Sequence, residues 1–253
     1  MQDLPGNTTS SHFPELAVVI PVYNEADDVR RVLVKWLSEL KSLEIDFQMH
    51  AYNDGSTDSS LAVMKNLEKD ESALTVHDKD NTGHGPTILL GYRENRNAEW
   101  MFQTDSDGEI PPDSFSALWR ERHDHDFLAG RRLDRRTPLP RRAVSLGARL
   151  LVRILFGRRT IRDVNIPCRL MRMSAFSPCL SGIPDGTFAP NVLISGYAAA
   201  RGLRQFETAV RYEPNPTPVT ESLRAWRLAA TALACARQTL QFARKCRAGS
   251  HVK

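Results

Sequence analysis

No apolar stretch in these 253 residues approaches the roughly 20 needed to cross a bilayer; Leu228 to Ala236, the longest uncharged piece near the C-terminus, is far too short. There are only four cysteines, Cys168, Cys179, Cys235 and Cys246, and their spacing matches no metal-ligand pattern. Free thiols in a reducing cytoplasm are therefore expected, and the chain also opens without a signal peptide. Internal repeats, low-complexity tracts, helix-turn-helix and zinc-finger signatures are all missing. The arginines are not regularly interleaved with aromatic residues as single-strand binding would want, which argues against nucleic acid as a partner. Acids are scarce in one place. Residues 131 to 172 hold thirteen arginines, no lysine and two acids, a local charge of +11 in a chain of net charge +4. A basic segment on an otherwise acidic protein suggests a local anionic partner: phosphate, a nucleotide or an anionic lipid surface.

What is present is enough apolar material, 41% of residues, for a real core. Residues 1–14 read as a flexible tail, 15–218 as one catalytic-sized α/β domain, and 219–253 as a C-terminal helix and tail. LAVVIPVYNE (16 to 25) is an apolar strand of the kind buried on both faces of a parallel sheet. Val29, Val32, Leu33, Trp36, Leu37 and Leu40 follow at helical spacing. The alternation then repeats. FQMHAYNDGSTD (47 to 58) is a strand and turn in which Asp58 can cap a helix, LTVHD (74 to 78) is a third strand, and NTGHGPTILLGY (81 to 92) is a glycine-rich turn entering a helix. AEWMFQT (98 to 104) is a fourth strand, and HDFLAGRR (125 to 132) a fifth. Strands alternating with helices predict a parallel, doubly wound sheet whose ligands bind beyond the carboxyl ends of the strands. Residues 141 to 156 read as an amphipathic helix with Arg142, Arg149 and Arg153 on one face and Leu150, Leu151, Ile154 and Leu155 on the other. An extended segment (163 to 172), two helices (187 to 201 and 219 to 246) and an edge strand (203 to 214) complete the pattern.

The stretch that organises the rest is TDSDGEIPPD, residues 104 to 113. An apolar strand stops there, and Asp105, Asp107 and Glu109 arrive at every second residue before a Pro-Pro break. Acids so spaced can turn their oxygens toward one point suited to a divalent cation, although a solvated acidic turn is the plain alternative.

With IPVYNE, NDGSTD, N-x-G-x-G, D-x-D, G-R-R and a later D-x-x-x-x-x-R in this order, the sequence resembles the family 2 glycosyltransferases of GT-A fold, within them the dolichol-phosphate mannose synthase type, over about residues 16 to 220. The resemblance implies a mostly parallel α/β sheet flanked by helices. It implies that Pro21, Tyr23 and Glu25 line a nucleotide pocket and that Asp54 recognises base or ribose. Asn81, Gly83 and Gly85 match a turn whose backbone comes close to a ligand. Asp105, Asp107 and Glu109 would hold Mg²⁺ or Mn²⁺ against the diphosphate of a nucleoside-diphosphate sugar, UDP- or GDP-linked. Arg132, Arg141 and Arg169, the last preceded by Asp163, match the arginines that hold a polyprenyl phosphate acceptor. Guanidinium forks grip phosphate oxygens bidentately and stay charged at any relevant pH.

A phosphate acceptor is already an anion and needs no general base, whereas a hydroxyl acceptor does. The E-D pair and the Q-x-x-R-W motif of hydroxyl-glycosylating relatives are both missing, which favours phosphate. Asn215 and Pro218 stand where an arginine and then a glycine are usual, so a hydroxyl of a small molecule remains an alternative acceptor. A nucleotide-sugar binding protein without catalysis is a second alternative. The basic, amphipathic C-terminal helix, with Leu223, Trp226, Leu233, Leu240 and Phe242, either lies on an anionic membrane surface or packs on the domain. Its environment would then be the cytoplasm, with peripheral attachment at the inner face of the membrane left open.

Overall fold

The computed structural model describes residues 13–132, 139–213 and 222–247, with the backbone alone for 139–142 and 222–230. The first half is built as its apolar runs predict. Strand β1 (Leu16–Val22) is buried at every residue, because helices cover both faces of a sheet at its centre. Helix α1 (Val29–Ser42) buries all six of its predicted apolar positions, and its Trp36 packs on Phe102 with ring centroids 5.2 Å apart. Then come β2 (Phe47–Asp54), α2 (Ser60–Asp70), β3 (Leu74–Lys79), α3 (His84–Glu94) and β4 (Trp100–Thr104). Asp58 accepts from the Ser60 N–H at 2.9 Å just ahead of α2. Between β4 and β5 stands a short helix, α4 (Phe115–Arg120), framed by single tight turns on either side.

The second half runs β5 (Phe127–Arg132), α5 (Leu139–Phe156), β6 (Cys168–Arg172), α6 (Met173–Gly182), α7 (Pro190–Ala200), β7 (Gln205–Val210) and α8 (Ser222–Arg247). All strands join one sheet in the order β3-β2-β1-β4-β6-β5-β7. Every neighbouring pair is parallel except those of β6, which is antiparallel to both β4 and β5. The sheet is thus mostly parallel and flanked by helices, as the resemblance implies, with β6 as the reversed strand. Cys168 pairs with Thr104 and Arg172 with Trp100, so β6 starts beside the end of β4 and must run back against it. Because β6 reverses both its neighbours, β1, β2, β4 and β5 all finish on one edge.

Helix α5 also departs from its expected orientation. Leu150 and Ile154, on the apolar face read from the sequence, are 60% and 66% exposed, and Leu146 is 62% exposed. Among its described side chains the buried ones are Val152 and Phe156, and Phe156 meets Phe242 of α8 at 6.2 Å between centroids. Hydrophobic periodicity finds a stripe but does not say which edge of it meets a neighbour. Here α7 and α8 are the neighbours.

Candidate functional site

A cleft of ≈ 290 Å³ opens at the carboxyl ends of β1, β2 and β4, lined by Pro21, Tyr23, Glu25, Asp54, Asn81, Gly83, His84, Asp105 and Asp107 among others. Eight of the residues singled out in the sequence therefore meet in one place: Pro21, Tyr23, Glu25, Asp54, Asn81, Gly83, Asp105 and Asp107. The turns that carry them are stitched together. Asn24 accepts from the Thr57 N–H at 2.8 Å, and the Glu25 N–H donates to Ser60 Oγ at 2.8 Å. Tyr23, 48% exposed, offers the cleft a flat apolar face.

Asp54 is almost fully buried. It accepts from the N–H groups of Thr82 and Gly83 at 2.8 and 2.9 Å and from the Lys79 ammonium. Burial pushes its carboxyl up, but these donors outweigh burial and hold it below the usual range. Asp54 thus shapes the glycine turn while lining the cleft. The two glycines of that turn do different work. Gly83 lines the cleft, whereas a Cβ on Gly85 would stand 2.1 Å from the Phe188 carbonyl oxygen. Gly85 lets α3 approach the chain ahead of α7, not a ligand.

The acidic turn carries most of the electrostatics. Burial, then the charge of Asp105, pushes Asp107 up to about 7. Asp105 is itself raised by burial, against the pull of His84, Gln103 and Arg132. Glu25 is raised by burial and by the acids around it. Gly108 adopts φ +70, a conformation glycine takes without strain, and this lets the Glu109 N–H donate to Asp107 Oδ1 at 2.9 Å. The Glu109 carboxylate accepts from the Tyr212 hydroxyl at 2.6 Å. Among the described residues, no three His, Cys, Asp or Glu side chains are placed to hold a metal ion, so the expected trio is not preassembled. Asp105 and Asp107 line the cleft, while Glu109 is engaged by Tyr212. The donor chemistry nonetheless fits a hard cation. Buried, mutually repelling carboxylates gain from a positive charge, and Mg²⁺ commonly binds through one or two carboxylates plus substrate phosphates.

The arginines are distributed unevenly. Arg132 forms a fork with Asp163, at 2.8 and 3.2 Å, and its guanidinium lies 5.6 Å from the Tyr212 ring centroid. Arg141 belongs to α5, but its side chain lies outside the described residues, as do Asn215 and Pro218. Arg169 departs from the acceptor-binding expectation. It is fully buried and donates to the carbonyl oxygens of Ile166, Val164 and Asn191. A guanidinium so enclosed organises backbone and does not reach an open cleft.

Sequence reasoning missed what stands behind Asp105. Gln103 donates to Asp105 Oδ1 at 2.9 Å, Asn191 donates to Gln103 Oε1 at 3.0 Å, and Tyr92 donates to Asn191 Oδ1 at 3.0 Å. Arg169 joins the same network through the Asn191 carbonyl at 2.9 Å. The signal was available: Gln103 interrupts an apolar strand, and Asn191 an apolar helix. Such buried polar groups are kept when they are satisfied.

Comparison with known proteins adds a family and a fold. The model described as glycosyl transferase family 2 matches residues 17–178. An undecaprenyl-phosphate 4-deoxy-4-formamido-L-arabinose transferase of Proteus mirabilis is 24% identical over 187 residues, covering 72% of this chain and 56% of the relative. A dolichyl-phosphate beta-glucosyltransferase of Trichomonas vaginalis is 29% identical over 171 residues, covering 61% and 52%. The chain spans about half the length of these curated relatives. Glucosyl-3-phosphoglycerate synthase from Mycobacterium tuberculosis, solved with Mn²⁺, UDP-glucose and phosphoglyceric acid, superposes with a TM-score of 0.62 at 13% identity, over 91% of this chain and 80% of that one. At that identity the likeness is one of fold.

Proposed function

The chain belongs to glycosyl transferase family 2, and on that premise we propose that it moves one sugar from a nucleoside-diphosphate donor, UDP- or GDP-linked, to a polyprenyl phosphate, with inversion at the anomeric carbon. The observation that carries this reading is the single cleft in which Tyr23, Glu25, Asp54, Asp105 and Asp107 converge. Tyr23 and Glu25 would receive the base and ribose, the tyrosine by its ring and the carboxylate by accepting N–H or O–H donors. Asp105 and Asp107 would hold Mg²⁺ or Mn²⁺, which when bound supplies charge neutralisation on the departing nucleoside diphosphate.

In the transfer, an oxygen of the acceptor phosphate attacks the anomeric carbon from the side opposite the diphosphate. The new C–O bond forms as the old one breaks, and the nucleoside diphosphate leaves with the bonding pair. The acceptor is an anion, so no proton has to be removed. Arg132 would hold that phosphate, trading part of its pairing with Asp163 for phosphate oxygens of equal geometry. The curated relatives named for undecaprenyl-phosphate and dolichyl-phosphate support this acceptor.

The test is a labelled-donor assay with polyprenyl phosphate, soluble sugars and no acceptor, in Mg²⁺ and in Mn²⁺. Label is expected on the lipid phosphate; label only on a soluble sugar would replace the acceptor, and no donor consumption at all would leave a binding protein. Arg132→Ala is expected to lower transfer to the acceptor at least about tenfold while changing donor hydrolysis little. Equal loss of both would remove its assigned role.

A further inference from the structure

The chain leaving β7 is fastened to the acidic turn that leaves β4, although two strands, β6 and β5, stand between β4 and β7 in the sheet. The Tyr212 hydroxyl donates to Glu109 Oε2 at 2.6 Å, and the Glu213 N–H donates to the Glu109 carbonyl oxygen at 2.8 Å. Glu109 is thereby gripped at both its carboxylate and its backbone. Its own N–H then donates to Asp107 Oδ1 at 2.9 Å. Tyr212 also meets the arginine: Val210, the last residue of β7, pairs with Arg132, and two residues further on the Arg132 guanidinium lies 5.6 Å from the Tyr212 ring centroid. We propose that Tyr212 is a positioning residue for the transfer: its hydroxyl, through Glu109, holds Asp107 in place at the cleft, and its ring seats Arg132, so that one side chain sets the donor and acceptor halves of the site relative to each other.

The contacts select Tyr212 over its neighbours. Arg211 and Asp113 pair across the same gap at 3.3 Å, but both side chains are exposed, and an ion pair in water is worth little. A hydroxyl on a carboxylate at 2.6 Å is a charge-assisted bond, about twice as strong as a neutral one. Tyr212 is half-buried against the core, where a phenylalanine would pack equally well, so what the hydroxyl adds is the tie itself. Glu109 then has a supporting part in place of the ligand's part that the acidic spacing suggests. Its carboxylate is occupied by a phenol and stays outside the lining of the cleft, while its N–H steadies a carboxylate that is inside it. Groups that orient metal ligands from behind typically change affinity about 10- to 100-fold. Seating a guanidinium over a ring contributes less, about two- to fivefold in binding. Both halves rest on the proposed reading, in which the acidic turn serves the donor's cation and Arg132 the acceptor phosphate.

The first experiment reads cation binding without turnover. The full chain is titrated with Mn²⁺ in the presence of UDP or GDP, free Mn²⁺ being followed by electron paramagnetic resonance, for wild type, Tyr212→Phe, Glu109→Ala and the double variant. Tyr212→Phe is expected to raise the half-saturating concentration at least about fivefold, and Glu109→Ala by at least as much. The double variant should shift no further than Glu109→Ala alone, because both substitutions cut one chain of contacts. Additive shifts, or a shift in Glu109→Ala with none in Tyr212→Phe, would make Glu109 a ligand and overturn the proposal. A lower melting temperature with an unmoved midpoint would reduce Tyr212 to packing and overturn it as well. The acceptor half is read at saturating Mn²⁺ as the KM for a short, water-soluble prenyl phosphate. Tyr212→Leu is expected to raise it at least about threefold, and Tyr212→Phe, which keeps the ring, to stay close to the wild-type value; equal KM values in the two variants would overturn the seating of Arg132. Wild type that binds no Mn²⁺, or transfers to no prenyl phosphate, would overturn the proposed reading itself and the matching half of the inference with it, whereas silent variants of a wild type that does both would overturn the inference alone.

Discussion

Asp107 sits where burial and the Asp105 charge both oppose its ionisation while the Glu109 N–H favours it. Asp107→Asn keeps the shape and removes the charge. Turnover is expected to fall at least about 100-fold with an unchanged circular dichroism spectrum and melt, and a variant of normal rate would remove the carboxylate from the mechanism. Asn191 acts at one remove, through Gln103 on Asp105. Asn191→Leu leaves Gln103 and Tyr92 with unpaired buried groups, which costs about 1 to 3 kcal/mol. It should also raise the metal concentration for half-maximal activity about tenfold, since losing a supporting hydrogen bond typically does so. A purely structural role would lower the melt and leave that metal midpoint in place. Asp105 and Asp107 were legible in the sequence because a run of acids after an apolar strand is conspicuous. The network behind them was not, because its members lie 88 residues apart and are brought together only by α7 packing behind β4.

At the scale of elements, β2 and β3 place two histidines face to face. His50 Nδ1 and His77 Nε2 are 3.0 Å apart, and the His77 ring stacks on Tyr52 at 4.2 Å. One proton between two neutral rings satisfies the pair, and a second would sit in a half-buried position beside its like. Burial, then His77, lowers His50 from 6.5 to about 4. The unfolded chain therefore takes up a proton near pH 6.5 that the folded chain refuses until about pH 4. The stability this protects is full above the upper value and lost as pH falls through the lower one, up to about 3 kcal/mol. Urea midpoints measured across that window should decline in wild type and stay flatter in His50→Gln; parallel profiles would mean that other groups govern acid unfolding. Strands β1 to β4 were readable because each is an apolar run closed by a polar turn. The direction of β6 was not, because antiparallel pairing is set by where Cys168 re-enters the sheet, beside Thr104. Nor was the facing of α5, whose periodicity is equally consistent with burying Leu150 or Val152.

For the whole molecule, binding at the cleft should be visible as global stability. A nucleoside diphosphate with Mn²⁺ at about 100 times its dissociation constant is expected to add about 2.7 kcal/mol, read as a rise in melting temperature. Chelator should cancel most of that rise if the cation and the nucleotide are held together, and an unchanged rise would mean that the nucleotide binds without the acidic turn. The convergence of four strand ends on one edge was legible from alternation alone, and so was the place of the cleft. Strand β6 adds something alternation could not. By lying reversed between β4 and β5, it sets Asp105 and Arg132 at the same edge but two strand spacings apart, about 10 Å. In the proposed transfer that interval would leave room for the anomeric carbon, with the departing diphosphate on one flank and the arginine-held phosphate on the other.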